Sequence, residues 1–327
     1  MAQDSRQSIS DSLIVGTYKL GSLLSKGIPG FLSGAVGSLI GLPTSIGMRD
    51  KRKMVERHMR RVRPQASSSE IRRMTQQVFD SYARYYLESF RLPTLSNEQV
   101  AASMTFEGYH ENLLPALERG KGVILALPHL GGWEWAGRWA ADLGNKMTVV
   151  VEPIEPPELF EWFADLRRKF GMTVIPLGPE AGPAVLKALR NNEVLCLLSD
   201  RDITGGGIEV EFFGEKTTLP AGPATLALRT GAALLPSAAY FTDRGVGHLG
   251  FIGAPMNCER QGKLRADVQR ITQDLAYELE KLIHRAPEQA NRPRCIPAPR
   301  CGRSDRSPWR PSPAAGSRRP VRPPARG

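Results

Sequence analysis

Val123 to Trp139 reads V-I-L-A-L-P-H-L-G-G-W-E-W-A-G-R-W, and its reading decides the fold. Val123 to Leu127 is a short, wholly apolar run with the length and composition of a buried strand. Pro128 stops the strand, and His129 follows at its carboxyl end. Gly131 and Gly132 allow a tight turn with close backbone approach. A helix is expected from Trp133 to Leu143, with Glu134 in its first turn. In open α/β sheets ligands bind outside the carboxyl ends of strands, beside helix N-termini. His129 and Glu134 therefore fall where such a fold does its chemistry. Their spacing of five across a strand–turn–helix lets the carboxylate reach the imidazole, fix its tautomer and stabilise the imidazolium. From the residues alone another reading stands beside this one: a histidine at a helix end, with Glu134 favoured only by the helix dipole.

Outward from this unit the same alternation continues. A helix over Glu111–Arg119 leads through Gly120-Lys121-Gly122 into the first strand. Met147–Glu152, Val174–Pro176, Val194–Ser199, Glu209–Phe213 and Leu234–Phe241 read as further strands. Helices are expected over Glu158–Phe170, Ala184–Arg190 and Ala221–Thr230. Short apolar strands alternating with helices predict an α/β fold, a mainly parallel central sheet flanked by helices. Leu264–His284 carries an apolar stripe at helical spacing and is expected to pack on the body. A long helix is also expected over Ile71–Phe90, starting near Ser69 and Glu70. Its Val78, Tyr82, Tyr85, Tyr86 and Phe90 read as mostly core.

Composition limits the classes of function. Hydrophobic residues make up 41% and charged residues 24% of the chain, which suits a globular protein in water or at a membrane surface. The net charge of +11 is concentrated at the C-terminus: from Arg285 onward there are eleven Arg against Glu288 and Asp305. The high pI thus carries no argument for nucleic acid, and no nucleic-acid partner is expected. Cys196, Cys258, Cys295 and Cys301 form no CxxC pair and no metal spacing, so no metal is expected, and a reducing compartment fits. No Gly-x-Ser-x-Gly, nucleotide-phosphate loop or dinucleotide fingerprint occurs, so neither a serine acyl-enzyme nor a bound cofactor is indicated.

Residues 1–12 are polar and lack a basic start, so a secretory signal is not expected. Residues 27–48 carry no charge over a length able to span a bilayer, but Pro29, Pro43 and several Gly and Ser interrupt them. Gly30-x3-Gly34 and Gly37-x3-Gly41 have the spacing that lets helices approach closely in lipid. Eight Lys or Arg between Arg49 and Arg63 follow, against Asp50 and Glu56. An apolar segment beside a basic one predicts an interfacial anchor on an anionic membrane surface, with a half-buried helical hairpin followed by a solvated basic helix as the other reading. The chain divides into this membrane-associating helical segment (1–63), a catalytic domain (64–289) and a disordered Arg/Pro-rich tail (290–327) without an apolar period.

The motifs also carry a resemblance. P-H-L-G-G-W-E-W resembles the H-x4-D/E block of the glycerolipid acyltransferases. It is most similar to the bacterial branch of lipid A late acyltransferases and phosphatidylinositol mannoside acyltransferases. Asn191-Asn192-Glu193 leading into V-L-C-L-L-S-D-R-D, then Ile208–Gly214 and Leu219–Pro236, match in order and spacing. Together they look most like the mannoside acyltransferases, over roughly Arg52 to Gln289. The resemblance implies an enzyme on the cytoplasmic face of the membrane that moves an acyl chain from acyl-CoA, as co-substrate, to a glycolipid hydroxyl. His129 would be the general base and Glu134 its orienter. Functional acids are implied at Glu152 and Asp200 and a basic group at Arg167. Glu152 and Asp200-Arg201-Asp202 also end strands in the pattern reading, where carboxylates can accept sugar hydroxyls and arginines can clamp phosphate. A lipid A-type enzyme using an acylated carrier protein, and a non-catalytic lipid-binding module, are the other readings. The family continues from a Pro-Glu-Gln like Pro287–Gln289 into a Trp-containing end, whereas Ala290-Asn291 follows here.

Overall fold

The strands are β1 (Met104–Glu107), β2 (Val123–Leu127), β3 (Met147–Val151), β4 (Thr173–Pro176), β5 (Val194–Leu198), β6 (Ile208–Phe212), β7 (Glu215–Leu219), β8 (Ala233–Phe241) and β9 (His248–Ile252). They come from a computed structural model that describes residues 27–290 except 155 and 243–246, together with Gly16, Gly21, Leu23 and Ser25. Seven of them form one sheet in the order β1-β9-β8-β2-β5-β3-β4, with β2 at its centre. Neighbouring strands run parallel except β8 and β9, which are antiparallel. The α/β reading is therefore correct. All five residues of β2 are apolar because helices cover both faces of the sheet, so no strand face meets water.

The helices are α1 (Ser33–Gly47), α2 (Arg49–Val62), α3 (Ser68–Arg91), α4 (Asn97–Ala102), α5 (Leu114–Glu118), α6 (Trp133–Asp142), α7 (Pro157–Lys169), α8 (Ala181–Arg190), α9 (Gly222–Thr230) and α10 (Leu264–Arg285). The start of α3 differs from the expected Ser69. Ser67 is the N-cap, accepting from Glu70 N, while the Glu70 side chain reaches back to Ser67 N at 2.8 Å. Glu209–Phe213, read as another strand of the sheet, instead pairs with β7 as a separate antiparallel hairpin. The hairpin packs beside α10, where the Gln273 side chain bonds Glu211 N and O at 2.8 and 2.9 Å.

The Gly37-x3-Gly41 spacing works inside the protein. Ser33, Gly37, Gly41 and Ser45 are buried, one per turn of α1, against α3. A Cβ on Gly41 would lie 2.8 Å from the Asp80 backbone, so only glycine permits this approach. Ser45 donates to Gln76 Oε1 at 2.6 Å, and Ser33 donates to the buried Glu88 at 2.8 Å. The opposite face of α1 is apolar and open: Leu39 is 75% exposed, Ile46 59% and Leu42 53%. Gly30–Gly47 has the length and composition of a membrane-crossing helix, yet its small-residue face is occupied by α3. The tail from 291 lies outside the described residues. Ala290, read as the tail's first residue, is buried and pairs with Leu130 as an isolated antiparallel bridge.

Candidate active site

β2 and β5 are adjacent and parallel, with Leu127 opposite Leu198. The segments leaving their carboxyl ends therefore emerge side by side. Ser199 N donates to Leu127 O at 2.8 Å, and one residue further Asp200 meets His129. Asp200 Oδ1 lies 2.6 Å from His129 Nδ1, and Oδ2 accepts from His129 N at 3.0 Å. One carboxylate thus holds both the ring and the backbone of the histidine. Asp200 is fully buried and His129 nearly so. Burial raises the Asp200 carboxyl, but the His129 charge and the hydrogen bonds outweigh it and leave it below its ordinary range.

This corrects the expected partner of His129. The Glu134 carboxylate goes elsewhere: Arg167 Nε donates to Oε2 at 3.1 Å, Arg167 Nη2 pairs with Oε1, and Tyr85 OH donates to Oε1 at 3.1 Å. The physical reason is competition. A guanidinium fork satisfies both oxygens of a buried carboxylate at once, while the imidazole already has a carboxylate from the neighbouring strand. Glu134 therefore ties the first turn of α6 to α7 and α3 instead of orienting the base.

The turn between His129 and α6 is pinned on several sides. Gly131 has φ +60°, and a Cβ there would lie 1.9 Å from Ala239 O. Its N–H donates to Gln289 O at 3.0 Å and so is directed away from the His129 ring's cavity into the fold. Gln289 also brackets the end of β8, accepting from Phe241 N at 2.7 Å and donating to Phe241 O at 2.9 Å.

His129 opens onto a cavity of about 410 Å³ at the carboxyl edge of the sheet. Tyr82, Tyr85 and Tyr86 from α3, Trp133 from α6, and Phe160 and Phe163 from α7 form its aromatic walls. Trp133 meets the His129 ring edge to face at 5.8 Å and lies 4.4 Å from the Tyr85 ring. These tyrosines were read as core. A helical stripe of aromatics looks the same in sequence whether it faces a core or a cavity.

Glu152 and Arg201 leave β3 and β5 at the same edge and form an ion pair in the cavity wall. Arg201 Nε is buried and has no hydrogen-bond partner among the described residues. Asp202 also lines the cavity, but its carboxylate serves its own loop. Oδ1 accepts from Thr204 N at 3.1 Å, Thr204 Oγ1 at 3.1 Å and Gly205 N at 3.0 Å, and Oδ2 from Gly207 N at 2.8 Å. These bonds hold the loop that forms this part of the cavity wall. No cluster that could hold a metal ion occurs among the described residues.

The family model for bacterial lipid A biosynthesis acyltransferases matches residues 10–290. The chain belongs to this family. It is 42% identical over 212 residues to a phosphatidylinositol mannoside acyltransferase of Mycobacterium tuberculosis (strain CDC 1551 / Oshkosh), covering 64% of this chain and 65% of the relative. It is 41% identical over 170 residues to a phosphatidylinositol mannoside acyltransferase of Mycolicibacterium smegmatis, covering 51% and 56%. The chain thus spans less than two thirds of the length of the curated relatives it matches.

Proposed function

We propose that the protein is an O-acyltransferase that moves a fatty acyl chain from acyl-CoA to a hydroxyl of a membrane glycolipid of the phosphatidylinositol mannoside class. The observation that carries this reading is His129, held through Nδ1 by Asp200 and lining the large cavity. Nδ1–H donates to Asp200, which sets the tautomer that leaves Nε2 basic. Nε2 removes the proton of the acceptor hydroxyl as its oxygen attacks the thioester carbonyl. The N-terminus of α6, whose first residue Trp133 lines the cavity, stabilises the resulting oxyanion. When the carbon–sulfur bond breaks, the imidazolium returns its proton to the departing thiolate. Asp200 stays ionised throughout and stabilises the imidazolium, as its lowered pKa allows.

The remaining groups bind. Arg201 suits a phosphate of the donor or acceptor, because its buried Nε has no partner among the described residues. Glu152, beside it, suits a sugar hydroxyl. An apolar cavity between α6 and the sheet suits the acyl chain. It includes Cys196, whose thiol burial pushes to about 12 and so keeps neutral. The exposed apolar face of α1, next to the basic α2, suits an interfacial seat on anionic lipid at the cytoplasmic face.

The test is incubation of the purified chain with radiolabelled palmitoyl-CoA and a panel of acceptors: phosphatidylinositol mannosides, phosphatidylinositol, lipid A precursors and buffer alone. Label is expected on the mannosides. Transfer only to lipid A precursors, or only from an acylated carrier protein, would move the assignment to the lipid A branch of the chemistry. Donor binding without transfer or hydrolysis would reduce the protein to a lipid-binding module.

A further inference from the structure

The apolar cavity has a defined direction. Leu125, Leu127, Cys196, Leu198, Met147 and Val149 share one face of the sheet by register and line it. Leu127 and Leu198 lie at the carboxyl edge, beside the His129 cavity. Met147 is level with Val123, four residues back, or about 13 Å at ~3.3 Å per residue. Helix α6 runs back over this face. Its first turn, with Trp133 and Glu134, roofs the outer part, and Gly137 roofs the inner part. Beyond them Ala140, Met147 and Met172 merge into packed core.

Gly137 lies within a helix, where glycine is less favourable than alanine and so calls for a reason of space. The reason is visible. A Cβ at Gly137 would lie 2.9 Å from Met172 Cε and 3.5 Å from its Sδ. The thioether end of Met172 thus occupies the space that a larger residue 137 would take, at the inner end of the cavity.

We propose that Gly137 and Met172 together form the stop that sets which acyl-chain length the enzyme uses. The proposal rests on the acyl-transfer reading and adds to it a determinant of donor choice. Met172 is unbranched and adjusts its rotamers, so the stop is graded: it yields to one more methylene and resists several.

The experiment compares kcat/KM of the full chain and its variants for saturated acyl-CoAs from about twelve to twenty carbons, with one acceptor. Met172→Ala is expected to move the optimum to longer chains, and Gly137→Leu to shorter ones. Because one methylene in an apolar pocket is worth about 10–200-fold in discrimination, the ratio between donors two carbons apart should change by at least ~10-fold, in opposite directions for the two variants. If Met172→Ala fails to fold, Gly137→Ala and Gly137→Leu decide the matter. Folded, active Gly137 variants with the wild-type length profile overturn the proposal while leaving the acyl-transfer reading intact. A wild-type chain that transfers no acyl group of any length overturns both.

Discussion

Two buried histidines in this molecule hold nearly the same bond in different surroundings. His129 Nδ1 lies 2.6 Å from Asp200, and His248 Nε2 lies 2.7 Å from Glu88. Both carboxyls stand below their ordinary range against the opposing effect of burial, because each faces a histidine. The surroundings differ. His248 is sealed: Trp135 stacks on it at 4.2 Å, and Glu88 is further occupied by Arg84 at 2.7 Å and Ser33 at 2.8 Å. His129 borders a cavity of about 410 Å³. A histidine–carboxylate pair is therefore no signature of catalysis by itself. The cavity beside the His129 ring is what supports it as the proposed base, and the other pair ties α1 and α3 to β9.

The contrast breaks most sharply under truncation of each histidine. His129→Ala should lower transfer per folded molecule by about 10²–10⁴-fold, the usual share of general-base catalysis. His248→Ala should instead cost about 1–3 kcal/mol of stability by leaving one oxygen of a buried carboxylate unpaired, while activity follows the folded fraction. Turnover assays paired with thermal melts read both. Near-normal transfer by folded His129→Ala would falsify the base assignment.

The carboxylates sharpen it next. Asp200→Asn should lower turnover by at least about 10²-fold, and adding it to His129→Ala should cost little more, since the two act as one unit. Glu134→Gln acts through Arg167 and Tyr85, so its effect should be smaller and should multiply with that of Asp200→Asn. Asp200 is also lowered in the folded state, so its contribution to stability is present above the unfolded-state pKa and is lost as pH falls through the folded value. Chemical denaturation across the acid range should therefore show a shallower loss of stability in Asp200→Asn than in the wild type. An unchanged slope would remove the Asp200–His129 bond from the acid response.

Smaller effects separate surface from packing. Leu39→Asp with Ile46→Asp should release the protein from anionic vesicles without lowering the melting temperature, because both side chains are exposed. Retention in a flotation assay would place the membrane contact elsewhere. Truncation after Ala290 should leave stability nearly unchanged, whereas truncation after Ala286 should lower it by removing Gln289 from the turn after His129 and from β8. Equal melting curves for the two truncations would show that the Gln289 contacts contribute little.

Much of the fold was legible because its signals are local. Apolar runs of five residues ended by Pro128 or by Ser199-Asp200 mark strands, and Leu264–Arg285 shows its buried stripe at helical spacing. Other strands left no such mark. β1 contains Thr and Glu, β7 contains Thr, Glu and Lys, and β9 contains Gly250, where a Cβ would strike the Phe106 ring. Their extended form is imposed by pairing with neighbours, which no local pattern records.

The sequence by itself determined the α/β class, the position of His129 at a strand end and the small-residue face of α1, since each follows from residue types a few positions apart. The tertiary structure alone decided which carboxylate serves that histidine. Glu134 is five residues from His129 and can reach it; Asp200 is 71 residues away, and nothing in the chain joins them. Strand order sets β5 beside β2 and brings Asp200 to hydrogen-bond distance, while α7 carries Arg167 to Glu134. A buried charge takes the partner that satisfies it best, and that choice is made only once distant segments have come together.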